Sequence, residues 1–245
     1  MNAIEHLRVK LFADGANVAD MIALARKPFI RGFTTNPTLM RKAGVADYER
    51  FAREALAAIP DRPISFEVLA DDFCEMECQA REIAGWGSNV FVKIPVTNTE
   101  GDPSFSLIHR LSHSGIKVNV TAVMTIEQVK RAGDALGGGA PSNISMFAGR
   151  IADTGRDPAA RLAEALTAIA GHASIELIWA SPRELLNIFQ ADAIGCHIIT
   201  VTTDLLHKLD CVGKPLDEFS LETVKMFRDD AIKAGYTLRG EGQLT

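Results

Sequence analysis

Lys93 stands in an unexpected place. It follows the apolar run Val90, Phe91, Val92 and precedes Ile94, Pro95, Val96 and Thr97. Such a segment is apolar on both faces, as a strand of a buried parallel sheet is. An unpartnered ammonium is costly there. Pro95 has no N–H to give to a ladder, so the strand is expected to stop at it. Lys93 is therefore expected where a buried strand opens into a loop. Desolvation favours the uncharged form of an amine, which is a nucleophile toward carbonyls. A lysine that snorkels to the rim or pairs with a carboxylate fits the same pattern.

Other apolar runs carry polar groups at the same end. Asp14 ends Leu11-Phe12-Ala13-Asp14, and Asn36 lies in Thr34-Thr35-Asn36-Pro37. Glu67 lies in Ser65-Phe66-Glu67-Val68, and Thr121 follows Asn119-Val120. Ser145 and Phe147 belong to a sixth run, with Arg150 just beyond. Each polar group has a local explanation. Asp14 suits a helix cap, and Asn36 a turn before Pro37. Glu67 suits an ion pair with Lys93, while Thr121 and Ser145 suit bonds to backbone carbonyls. Together, a nucleophilic lysine, two carboxylates, an amide and two hydroxyls make a set for Schiff-base aldol chemistry.

The elements that must position these groups alternate from end to end. Strands are expected at Val9–Ala13, Phe29–Phe33, Ile64–Val68, Val90–Ile94, Lys117–Val120, Asn143–Phe147, Ser174–Ile178 and His197–Val201. Helices are expected at Val18–Arg26, Tyr48–Ala58, Asp72–Ala84, Ser106–Ser114, Thr125–Ala135, Pro158–Ala170, Pro182–Gln190 and Asp204–Leu209. In Tyr48–Ala58, Phe51, Ala55 and Ala58 fall on one face. Prolines open two of these helices, as suits a first turn. Strand–helix units repeated this way predict an α/β chain folded as a single (β/α)8 TIM barrel, in which catalytic groups come from the C-terminal strand ends. An open doubly wound sheet is the alternative. No linker divides residues 1–245, so one domain is expected. Gly137-Gly138-Gly139 lacks the lysine of a P-loop and reads as a turn. An additional C-terminal helix, about 216–234, carries Phe219, Val224, Phe227 and Ile232. It would pack on the barrel or on a neighbouring subunit. The tail 239–245 is expected to fray.

Composition agrees with a soluble enzyme. A net charge of −5 argues against nucleic acid as the main partner. No run of about 18 apolar residues appears, so no membrane span is expected. The first six residues lack an apolar signal core. Cys74, Cys78, Cys196 and Cys211 show no zinc spacing. They are expected to be reduced, packed thiols of a cytoplasmic protein.

Several of these segments resemble the transaldolase family, in the small-subunit group that includes the fructose-6-phosphate aldolases. They are Leu11-Phe12-Ala13-Asp14-Gly15-Ala16-Asn17, Thr34-Thr35-Asn36-Pro37-Thr38-Leu39, Val92-Lys93-Ile94-Pro95-Val96-Thr97, Asn119-Val120-Thr121 and Ser145-Met146-Phe147-Ala148-Gly149-Arg150-Ile151. They occur in the family's order and span most of the chain. The resemblance implies a (β/α)8 barrel and a class I aldol mechanism with no metal and no cofactor. It implies a dihydroxyacetone unit moved between sugar phosphates, in carbohydrate metabolism of the pentose phosphate type, and a homo-oligomer.

Residue by residue, Lys93 matches the Schiff-base lysine. Asp14 matches the carboxylate near the donor hydroxyls. Glu67 and Thr121 match the pair that holds a catalytic water, with Glu67 as general acid/base. Asn36 matches a residue that positions substrate and amine. Ser145 matches one that binds the dihydroxyacetone end, and Arg150 the arginine that binds phosphate. The fructose-6-phosphate aldolases carry glutamine at Glu67 and tyrosine at Phe147, so both positions lean toward transaldolase. Alternatives are an aldolase that releases dihydroxyacetone, a barrel acting on an unusual anionic sugar, and a non-catalytic sugar-phosphate-binding barrel. Three departures bear on the substrate. Met146 replaces a proline. Ile178 and Ala180 fall where relatives place a serine and a basic residue. An insertion, Asn98–Pro103, alters the rim, and Ser181 or Arg183 is a candidate substitute at the anion end.

Overall fold

A computed structural model describes residue 4 and residues 6–238. The tail 239–245 and most of the first six residues lie outside the described residues. The strands are β1 (Lys10–Asp14), β2 (Ile30–Thr34), β3 (Ile64–Glu67), β4 (Val90–Pro95), β5 (Val118–Val123), β6 (Ser142–Phe147), β7 (Ile175–Ala180) and β8 (Ile198–Thr202). All neighbours are parallel, and β1 pairs with both β2 and β8. The sheet therefore closes into a barrel in sequence order, which excludes an open doubly wound sheet.

The helices between them are α1 (Val18–Ala25), α2 (Pro37–Lys42), α3 (Tyr48–Ala58), α4 (Phe73–Ala84), α5 (Phe105–His113), α6 (Ile126–Leu136), α7 (Ala148–Ala152), α8 (Pro158–Ile169), α9 (Leu186–Ala193) and α10 (Thr203–Leu206). Most starts carry a local signal. Asn17, Asp47, Asp72 and Asp157 accept backbone N–H bonds as N-caps. Thr125 and Gln128 form a reciprocal capping box at α6.

Several expectations need correction. The helix expected from Pro182 starts at Leu186. The Asn187 side chain accepts from the Arg183 and Glu184 amides and holds that stretch as a loop. On α3, Ala58 is exposed, and Phe51, Ala52, Ala55 and Leu56 form the buried face. Cys196 alone is packed, whereas Cys74, Cys78 and Cys211 are exposed. The buried face of α4 is Met76, Ala80 and Ile83, which leaves Cys74 and Cys78 outside it. The helices α2 and α7 were not anticipated.

Strand periodicity divides each strand between two environments. Val90, Val92 and Ile94 of β4 are buried, and Lys93 alternates with them. Deep in the barrel interior, Phe12, Ile178 and Ile198 form an apolar cluster. Gly32 is the register partner of Phe12. A Cβ at Gly32 would fall 2.5 Å from the Phe12 ring, so the absence of a side chain there admits the phenyl group. This plug underlies the polar groups at the C-terminal strand ends.

The barrel body runs through Lys208, and residues from Leu209 onward form a separate unit containing α11 (Leu216–Lys233). No residue of α11 is buried, and Phe219, Val224, Phe227 and Ile232 are exposed.

Candidate active site

Register brings the candidate residues into neighbouring positions. Glu67 of β3 stands beside Lys93 of β4, and Lys93 stands beside Asn119 of β5. Pro95 pairs with Thr121, which places that threonine one step further along the same end. Lys93 Nζ donates to Glu67 Oε2 at 2.8 Å and to the Thr35 carbonyl at 2.8 Å. The lysine is 6% exposed, so its ammonium is compensated almost entirely by these two acceptors. The ion pair considered from sequence is present, and it leaves the amine next to a group able to take its proton.

Asp14 lies on the neighbouring strands' side of the same cluster. It accepts from Thr34 Oγ1 at 2.8 Å, and Thr34 Oγ1 lies 2.5 Å from Thr200 Oγ1. Burial raises the Asp14 carboxyl above its ordinary value. The charge of Lys93 and the bond from Thr34 oppose that rise, while Glu67 adds to it. The Asn36 side chain nearby also opposes it. Asn36 caps α2 as well, accepting from Leu39 N at 2.9 Å, with Pro37 in the first turn.

A second polar chain runs through β3, β5 and β6. Asn119 is fully buried, donates to Ser65 Oγ at 3.1 Å and accepts from Ser145 Oγ at 2.8 Å. Thr121 is 1% exposed, and its hydroxyl has no protein partner among the described residues. A buried hydroxyl left this way is available to a substrate or water. The backbone changes direction immediately after it: Ala122 has φ +61°, and the β5–β6 register shifts between Val120 and Val123. Bulges of this type aim side chains at functional sites. Asn119, Thr34 and Thr200 were not singled out from sequence. Asn119 precedes Thr121 by two residues, and that period of two was a usable signal.

The rim differs from the cluster below it. Phe147 ends β6 and is half-buried. Arg150, on α7, is exposed. It lines a cavity of about 430 Å³ with Met124, Ile126, Ile151, Arg156 and Arg161, and none of the Lys93 cluster lines that cavity. The structure thus brings Asp14, Glu67 and Lys93 together, and Arg150 lies on α7, just beyond the end of β6. Asp153, three residues on from Arg150, is ion-paired with Arg183. Ile178 and Ala180 are buried. The inserted loop is pinned across the rim: Thr97 bridges Pro103, and Asp71 accepts from Thr99 N at 2.8 Å and Thr99 Oγ1 at 2.6 Å.

At the opposite end, a cavity of about 440 Å³ is lined by Lys10, Phe12, Arg62, Phe91, Asn143 and Glu176, among others. Barrels of this kind place chemistry at the C-terminal strand ends, so the Lys93 cluster is the stronger candidate. Among the described residues, no group of three or more His, Cys, Asp or Glu is arranged to hold a metal ion. No helix among them is long and apolar enough to cross a membrane.

Comparison with known proteins agrees with the barrel fold. A barrel resemblance extends to the truncated 3-deoxy-D-arabino-heptulosonate 7-phosphate synthase of Thermotoga maritima. The TM-score is 0.52 at 12% identity, over 94% of this chain and 89% of that one. Sequence relatives are nearer. A "Probable transaldolase" of Thermoanaerobacter sp. (strain X514) is 36% identical over 93% of this chain and 99% of its own length. One from Dehalococcoides mccartyi is 34% identical over 82% of this chain and 90% of its own length. The model for "Transaldolase/Fructose-6-phosphate aldolase" matches residues 11–238. The chain belongs to the transaldolase/fructose-6-phosphate aldolase family.

Proposed function

We propose that the protein is a class I transaldolase that carries a dihydroxyacetone unit on Lys93 between sugar phosphates. The observation that carries this reading is the buried Lys93 amine, held 2.8 Å from Glu67 at the end of a barrel strand. Proton transfer from Nζ to Glu67 frees the amine to attack the C2 carbonyl of a ketose. The carbinolamine then loses water to give a protonated imine. Deprotonation of the C4 hydroxyl breaks the C3–C4 bond, and its electron pair moves to the imine nitrogen as an enamine. The departing aldehyde is exchanged for an acceptor aldehyde, and hydrolysis returns the lysine. No metal is required in this scheme, because the imine is the electron sink.

Glu67 and Thr121 act on the proton transfers through a shared water, and Asp14 acts at the donor hydroxyls. Asn36 orients amine and substrate, and Ser145 takes the dihydroxyacetone end. Phe147 offers the enamine no proton. Arg150 holds the phosphate. Ile178 and Ala180 add no polar group, and Arg183 is engaged by Asp153. These features favour a substrate whose anion depends on Arg150. The apolar positions of α11 are the proposed contact with a neighbouring copy in a homo-oligomer, and mass in solution tests that.

Borohydride reduction in the presence of fructose 6-phosphate tests the central step. A three-carbon adduct on the Lys93 peptide is expected. An adduct on another lysine, or none with any ketose phosphate, overturns the assignment. Release of free dihydroxyacetone without an acceptor would identify an aldolase instead.

A further inference from the structure

We infer that Tyr48 is a positioning residue for Glu67, acting through the backbone; this rests on the reading of Lys93 and Glu67 as the reacting pair. The Tyr48 hydroxyl donates to the Glu67 carbonyl at 2.8 Å and accepts from the Glu67 N–H at 2.7 Å. One side chain therefore satisfies both backbone groups of the residue that bears the acid/base carboxylate.

The need for such a group follows from the sheet. β2 and β3 pair only at Phe33–Ile64 and Thr34–Ser65, and Thr35 N gives a last bond to Ser65 O at 3.1 Å. The chain of β2 then turns at Asn36 into α2. In a parallel ladder the N–H and C=O of one residue point to the same neighbour. Glu67 follows Ser65 by two residues, so its N–H and C=O face the side from which β2 has departed. Its other side is secured by β4, where Val68 N bonds Lys93 O at 3.2 Å. The Tyr48 hydroxyl takes the place of the missing β2 residue. Without it, two backbone groups next to a partly buried carboxylate would lose their partners.

The hydroxyl is itself held in place. Tyr48 opens α3, where Asp47 caps the helix. Its ring meets Trp86 edge-on at 5.6 Å and Phe66 at 6.3 Å. Burial raises the hydroxyl above its ordinary pKa, which keeps it a proton donor at neutral pH. Helix α3 thus fixes the peptide of Glu67, and Lys93 fixes its carboxylate.

Tyr48→Phe keeps the ring and removes both bonds. Small displacements of reacting groups are costly in rate. The variant should therefore fold and lose roughly tenfold in kcat, with KM for the donor within about twofold of the parent. The discriminating measurement is the same substitution made in a Glu67→Gln background. A residue that acts through Glu67 should cost little more there, whereas an equal fold-loss in both backgrounds overturns the inference. Unchanged kcat in the single variant overturns it too. Hydrogen exchange at the Glu67 amide gives a readout independent of turnover. It should be faster in Tyr48→Phe, and an unchanged rate counts against positioning. If the parent forms no adduct on Lys93, the imine reading fails, and amide exchange still decides whether Tyr48 holds Glu67.

Discussion

Glu67 and Lys93 are register neighbours on adjacent parallel strands, and their charged ends meet at 2.8 Å. Register puts the two backbones side by side, and the pleat turns both side chains to the same face. On the proposed function, an ion pair made this way serves structure and chemistry together. The carboxylate compensates the buried ammonium and lies within hydrogen-bond reach of it, so it is the group that would take its proton when a carbonyl arrives.

Substitution separates the two roles. Positioned acid/base catalysis contributes about 10²–10⁴-fold. Glu67→Ala is expected to lose turnover on that scale while circular dichroism stays that of the parent. Turnover within about threefold of the parent would leave Glu67 as only the partner of Lys93.

The barrel was legible because each strand is a short apolar run closed by a polar residue or a turn. The Lys93, Glu67 and Asp14 cluster was legible for the same reason: three ionisable groups ended three such runs. Other parts were hidden for identifiable causes. α2 carries its signal in Asn36-Pro37, an N-cap followed by a first-turn proline, but the same pair also fits a turn. α7 has five residues, too few to show a helical period. The placement of Arg150 depends on a contact made across the fold. A Cβ at Gly149 would lie 1.8 Å from the Ser181 carbonyl, and Ser181 itself has φ +58°. No window of sequence around Arg150 contains that constraint. The role of Tyr48 was hidden likewise, since its partner lies 19 residues away.

Asp14 should make stability depend on pH. Its folded-state pKa is raised, chiefly by burial. The folded form therefore holds its proton more tightly than the unfolded form does. Its contribution favours folding most at acid pH, below its unfolded value, and is lost as pH rises through the folded value. Asp14→Asn retains an acceptor for Thr34 and removes the buried charge. The variant should melt higher than the parent at pH 7, and the difference should shrink as the pH falls. An advantage that is constant with pH, or a lower melting temperature at pH 7, would contradict this account.

Gly32 and Phe12 predict a second stability effect. An added methyl at Gly32 would overlap the phenyl ring, which sits with Ile178 and Ile198 in the barrel interior. Overpacking of this kind costs about 1–3 kcal/mol. Gly32→Ala should unfold at lower denaturant with an unchanged m-value, and Phe12→Leu in the same chain should recover part of the loss. Additive losses in the double variant would show that the two residues do not compete for space.

On the proposed function, Arg150 sets which anion the substrate carries at its far end. It shares its cavity with Arg156 and Arg161, and Glu164 is the one carboxylate in the lining. Arg161 is 3.2 Å from Glu164, while Asp153 is taken by Arg183. Among the described residues Arg150 makes no ion pair, so its planar fork is open to phosphate. A charge-assisted hydrogen bond contributes about 1.5–3 kcal/mol, or roughly ten- to hundredfold in binding. Arg150→Ala should raise KM for phosphorylated donors on that scale and lower kcat much less. Unphosphorylated dihydroxyacetone, as donor, should respond little. Equal losses with both donors would mean that Arg150 supports α7 and not the anion. Steady-state kinetics with the two donors, run at fixed ionic strength, separate these outcomes, because added salt alone weakens exposed charge interactions.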